Sequence, residues 1–158
     1  MPSAFFMFRV GEKILETLWV GSLWTVGYLV APTLFALLDD RATAGRIAGE
    51  LFHIEALISA VAGTMLLAIH LFSSPRRWTG RCWLIVSMVG LLSTGEWLLR
   101  PFMATTRLEQ GSDSELFAML HGVSALLYLI AAVLGLALVA SSERSTVNGQ
   151  QSTVNSEE

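Results

Sequence analysis

Residues 116–140, LFAMLHGVSALLYLIAAVLGLALVA, show almost no polar face in any register. A helix that is apolar all round belongs in lipid or deep inside a large protein, because it has no stripe to offer water. Three further apolar runs precede it, at residues 14–38, 47–72 and 82–99. Each approaches or exceeds the ~20 residues that carry a helix across a bilayer core. Open sheet edges cannot be satisfied in hydrocarbon, so such runs dictate helices. The chain is therefore expected to be all-α, an integral membrane four-helix bundle in one domain of 158 residues. Only 15% of its residues are charged, against about 25% in soluble domains.

Several functions are excluded at once. A net charge of -3 leaves no basic footprint for nucleic acid. Cys82 is the only cysteine, so no intrachain disulfide or CxxC pair can form, and it is expected to pack inside a helix. HExxH, serine-nucleophile, phosphate-loop and dinucleotide patterns are absent.

Around the runs, residues 1–13 (MPSAFFMFRVGEK) are too short to span, and Phe5, Phe6 and Phe8 suit an interfacial segment. Arg9 and Lys13 precede a run much longer than a signal-peptide core, so no cleavage is expected. The third run is the shortest, and Trp78, Trp83 and Trp97 bracket it as interface anchors. Connections are placed at 39–46, 73–81 and 100–115. Pro101 is expected to kink or end the third helix, although 102–110 could extend it to Gly111. Ser112 and Glu115 have capping-box spacing. The polar tail 141–158, with STVN twice, is expected to be disordered. Four spans put both termini on one side. Arg9, Lys13, Arg76, Arg77, Arg81 and Arg144 against Arg41, Arg46, Arg100 and Arg107 favour cytoplasmic termini, in a bacterial inner membrane.

Residues 18–52 organise the fold. Gly21 and Ser22 keep the first helix slim, and Gly27/Ala31, Ala44/Ala48 and Gly45/Gly49 recur four apart. That spacing lets helix backbones approach in lipid, so a tight opening hairpin is expected. Pro32 should displace the carbonyl of Tyr28 and kink the first helix, with Thr33, Thr25 or a neighbouring helix supplying the missing donor.

Ionisable groups inside spans cost about 2.5–3.5 kcal/mol at a helix centre, so each needs a reason. The candidates are His53 and Glu55, Glu96, and His121, with Arg100 one turn beyond Glu96. Antiparallel topology places them in one half of the bundle, and His70 in the other. His53 is expected to bond Glu50, and Glu96 to pair with Arg100 at i,i+4. His53 and Glu55, two residues apart, must face different ways. His121 is the leading functional residue and is expected to share a polar site with Glu96. Metal binding through His53, His121 and Glu96 is a weaker expectation, since no spacing forces them together.

The words WVGSLW, APTLF, AGRIAGELF and LHGVS, in this order, resemble the family of four-span membrane proteins similar to eukaryotic transmembrane protein 205, common in bacteria as a domain of unknown function. The resemblance covers roughly residues 15–138. It implies a four-helix membrane domain, and a link to platinum-drug resistance in the eukaryotic namesake, with no settled activity. A fainter likeness to CopD and HemJ families ends at their chemistry. The HemJ type implies a histidine on the first helix and a lysine on the third, and neither is present here. The expected role is a non-enzymatic membrane module that handles a small solute or metal, or binds membrane partners, either another membrane protein or a second copy of itself in a homo-oligomer. The alternative is a haem- or metal-linked oxidoreductase with His53 and His121 as axial ligands.

Overall fold

The computed structural model describes residues 2–73, 79–111 and 114–154. Four helices are long and apolar enough to cross a membrane: Arg9–Leu37, Arg41–Phe72, Gly80–Gln110 and Glu115–Ser141. We call them spans one to four. The backbone divides into α1 (Pro2–Trp24), α2 (Ala31–Leu37), α3 (Arg41–Ser73), α4 (Gly80–Ser93), α5 (Arg100–Gln110) and α6 (Glu115–Val154). One π-helical turn, Thr25–Val30, joins α1 to α2, and another, Thr94–Leu99, joins α4 to α5. The spans run up and down in a ring, each packed against its neighbours in sequence, with span four closing on span one. We call the end carrying the termini proximal and the end with the 38–40 and 111–114 connections distal.

Both π turns precede a proline by the same interval. Pro32 and Pro101 have no N–H to give and their rings crowd the preceding turn. The chain widens there: the Ala31 amide reaches back to Val26 and the Arg100 amide to Gly95, one residue further than in an α-helix. Two of the expected donors go elsewhere. Thr33 Oγ1 donates to Leu29 O (2.6 Å) and Thr25 Oγ1 to Gly21 O (2.8 Å), so neither hydroxyl goes to Tyr28. Pro101 does not end span three. The helix continues to Gln110 and stops at Gly111, whose φ of 86° suits glycine alone.

Two expected boundaries move outward. No strong breaker separates 1–13 from the first run, so α1 is continuous from Pro2. The tail is also helical, to Val154, where disorder was expected. Extending an existing helix adds one hydrogen bond per residue without a new nucleation penalty. The first connection shrinks to 38–40, and Asp40 caps α3 through the amides of Ala42 (3.0 Å) and Thr43 (3.2 Å). Ser114 caps α6 by accepting from the Phe117 amide at 3.3 Å. The cap expected at Ser112 lies outside the described residues, as do Trp78, Arg76 and Arg77.

The packed core lies in the proximal half. Trp19, Val20 and Leu23 of span one meet Ala62 and Leu66, Ile85 and Met88, and Ala131 and Leu138. Glycines admit the contacts: a Cβ on Gly63 would strike Val89, and one on Gly135 would press on Val20 and Met88. The opening hairpin uses alanines instead, with Ala31, Ala44 and Ala48 buried. Gly27 lies against the Tyr128 ring of span four. Gly21 and Gly49 have open space beside them, and Gly45 only an ordinary contact with Phe35. Those three glycines do not hold helices together, contrary to the expected tight packing. Large apolar side chains such as Leu18, Leu29, Val61, Met119 and Leu126 remain exposed around the outside, as a lipid-facing surface requires.

Candidate functional site

The distal half encloses a cavity of about 810 Å³ to which all four spans contribute. Gly27, Ala31 and Pro32 line it from span one, Gly45 and Gly49 from span two, Gly95, Glu96 and Arg100 from span three, and His121 and Tyr128 from span four. The two π turns thus form opposite walls. Phe52 and Tyr128 meet edge to face across the bundle, ring centres 5.0 Å apart. Tyr128 Oη donates to the Leu23 carbonyl (2.7 Å), just before the first π turn.

Glu96 centres the polar wall. Its Oε1 accepts from Arg100 Nη1 and lies 2.6 Å from His53 Nδ1. Arg100 Nη2 continues to Glu50 Oε1 at 2.9 Å. The Glu96 side chain is only 9% exposed, so two hydrogen-bonding partners, Arg100 from its own span and His53 from span two, compensate its desolvation. The Glu96–Arg100 pair is the expected one. His53 differs: it bonds Glu96 across the helix boundary, while Glu50 serves Arg100. His121 is not bonded to Glu96; it stacks on Phe117 of its own helix, ring centres 6.2 Å apart, and lines the same cavity. Depth was legible in the sequence, but the azimuth that gives Glu96 to span two was not.

Glu55 stands apart from this network. It points to span one, 1% exposed, with Ser22 Oγ donating to its Oε1 at 3.0 Å. Oε2 has no hydrogen-bond partner. Beside it Trp19 Nε1 donates to Ser59 Oγ (2.8 Å). A second acid, Glu16, escaped the sequence reading although it lies inside the first run. It is 1% exposed and accepts from Arg81 Nη2 at 2.7 Å, with Glu12 3.4 Å from the same nitrogen. The signal was available: a carboxylate inside one run and an arginine at the start of another, both at the proximal end. His70 joins that end through Thr79 Oγ1, 3.1 Å from its Nε2.

Among the described residues no three His, Cys, Asp or Glu side chains come together to hold a metal ion. His53 and Glu96 meet, but His121 does not join them in a three-residue group.

These features define an integral membrane four-helix bundle, close-packed at one end and hollow at the other. The chain belongs to a family described as a domain of unknown function, DUF4149, which it matches over residues 14–112. That match takes in the first three spans, including both π turns. No curated protein and no solved structure matches the chain.

Proposed function

We propose that the protein is a non-enzymatic membrane module that takes a small solute into the distal cavity. The cavity itself carries the reading. Its ~810 Å³ falls within the range of roughly 300–1,000 Å³ typical of ligand sites, and its walls are mainly apolar with a few fixed polar groups. Glu96, held by His53 and Arg100, and Tyr128, held by Leu23, are such groups. A side chain already tied in place loses little freedom when a ligand arrives. With cytoplasmic termini, which the balance of basic residues supports, the cavity opens to the outer face of a bacterial inner membrane. Kinship with transmembrane protein 205, suggested by the shared words, belongs to the same proposal and adds no activity. Nothing favours the haem-linked alternative, since His53 already engages Glu96.

Thiol accessibility tests the reading. In a Cys82→Ser background, Gly49→Cys and Ala125→Cys should react in intact cells with a membrane-impermeant maleimide. Absence of reaction in both intact cells and inverted membranes would close the cavity and end the proposal. Reaction only in inverted membranes would reverse the orientation.

A further inference from the structure

We propose that the cavity's occupant is an anionic phospholipid, its phosphate held by Arg41, Arg46 and Arg107 and an acyl chain lying on the apolar floor. The inference rests on the reading of the cavity as a binding site and specifies the chemistry of what binds.

Charge at the lining points to an anion. Four arginines and two glutamates line the cavity. Arg100 is neutralised by Glu96 and Glu50. Arg41, Arg46 and Arg107 have no ion-pair partner among the described residues. Asp39, Asp40, Glu109 and Glu115 belong to the same end but do not line the cavity. Asp40 is further occupied by the Ala42 and Thr43 amides and the Thr43 hydroxyl. Guanidinium forks match phosphate oxygens in pairs, which makes arginine well suited to such a headgroup.

Position specifies a lipid. Arg41 and Arg46 occupy the first turns of α3 and Arg107 the last turn of α5, the level at which a span meets lipid headgroups. Arg46 and Arg107 also flank a second hollow of about 540 Å³, with Ala42, Thr43, Ala104 and Leu108, so the basic mouth extends beyond the main cavity. Below the mouth the lining turns apolar: Phe52, Ala56, Leu91, Leu92 and Leu127. A free inorganic anion would satisfy the mouth and leave this floor facing water. An amphiphile with an anionic head and a hydrocarbon tail covers both.

The test uses the full chain carrying Cys82→Ser and Gly49→Cys, reconstituted in vesicles of phosphatidylcholine with or without phosphatidylglycerol. Phosphatidylglycerol should slow maleimide labelling of Gly49→Cys by about ten-fold, equivalent to ~1.4 kcal/mol of occupancy. Native mass spectrometry should find one phosphatidylglycerol retained per chain. Replacing Arg41, Arg46 and Arg107 together by glutamine should abolish both effects. If that variant does not fold, Gly49→Trp, which fills the floor and keeps the arginines, should expel the lipid. Equal retention by the glutamine variant would mean that the arginines meet only bulk headgroups and would overturn the proposal. Equal protection by inorganic phosphate in phosphatidylcholine vesicles would overturn the lipid in favour of a free anion. A thiol that never reacts in any vesicle would instead remove the cavity, and the proposed function with it.

Discussion

The two ends of this bundle share four helices but solve opposite problems. Proximally, Gly63 admits Val89 and Gly135 admits Val20 and Met88, and side chains from all four spans meet around Trp19 and Leu66. Distally, Gly45 and Gly49 face a cavity, and on its wall Glu96, Arg100 and Glu50 are tied to one another and to His53. Glycine abundance does not distinguish the ends. What differs is what stands opposite each glycine, together with the two π turns. These widen spans one and three where Pro32 and Pro101 remove a donor. A helix altered in register at that point cannot continue the proximal packing pattern, so the ring opens.

The largest expected effect breaks the packed end. Gly63→Leu forces a side chain into space already held by Val89, with Trp19 next to it. Overpacking of this kind costs about 1–3 kcal/mol or more, and thermal melting in detergent should fall steeply or folding should fail. Gly49→Leu, pointing into open space, should stay within about 0.5 kcal/mol of the parent. Equal losses in the two variants would erase the contrast between the ends.

Next in size is the polar wall. Glu96→Gln removes the carboxylate that His53 and Arg100 share and leaves Arg100 with Glu50 alone. Both partners are about a third exposed, so we expect ~1–2 kcal/mol rather than the cost of a wholly buried pair. Double-mutant cycles on thermal stability should show coupling between Glu96 and His53, and none beyond error between Glu96 and His121. Coupling to His121 instead would place span four, not span two, at the centre of the site.

A smaller effect reports the boundary between the ends. Trp19→Phe keeps a ring in the core and removes the bond to Ser59. The hydroxyl of Ser59 then loses a donor, for a cost of ~1 kcal/mol. A neutral outcome would show that Trp19 contributes through the packing of its ring and not through its bond to Ser59.

How much of this was legible depended on which dimension of the helix was asked for. Length and apolarity gave four spans, and counting from helix ends placed Glu96, His53 and His121 at similar depth. Rotation about the helix axis was harder. Gly45 and Gly49 have close-packing spacing, yet no helix backbone comes close to either: Gly45 meets only the Phe35 ring of span one, and Gly49 has open space. The π turns add a residue that no 3.6-residue pattern anticipates. One signal was present and went unread. Leu23-x-Thr25 through Leu29 and Pro32 recurs as Leu92-x-Thr94 through Leu98 and Pro101, with Tyr28 answered by Trp97. Glu50-Leu51-Phe52 through Ser59-Ala60 recurs as Glu115-Leu116-Phe117 through Ser124-Ala125. The second hairpin thus repeats the first in the same direction, the arrangement of a parallel repeat about an axis along the membrane normal. Reading the repeat pairs the two π turns and shows where the halves depart: Gly27 and Ala31 correspond to Glu96 and Arg100. Charge entered the cavity wall where the first hairpin kept small residues.

The smallest expected effect sharpens the comparison at the distal surface, where a local cap can be separated from the tertiary site. Asp40 lies outside the spans, and its carboxyl is held below its ordinary pKa, chiefly by the Thr43 hydroxyl and then by the Ala42 amide. A folded-state pKa below the unfolded value stabilises the fold above the unfolded value, near 3.9, and that contribution fades as pH falls through the folded one. The sign follows because the unfolded chain takes up the proton first. Asp40→Ala should therefore lower the melting temperature slightly at neutral pH, and the difference from the parent should be unchanged down to about pH 5 and shrink below about pH 4. Asp40→Asn, which still presents an acceptor oxygen to the α3 amides, should recover part of the loss and show no such pH dependence. Labelling of Gly49→Cys should not change in either variant, because the cap orders the start of α3 without lining the cavity. A change in that labelling would tie the connection at 38–40 to the cavity and make the distal end one cooperative unit.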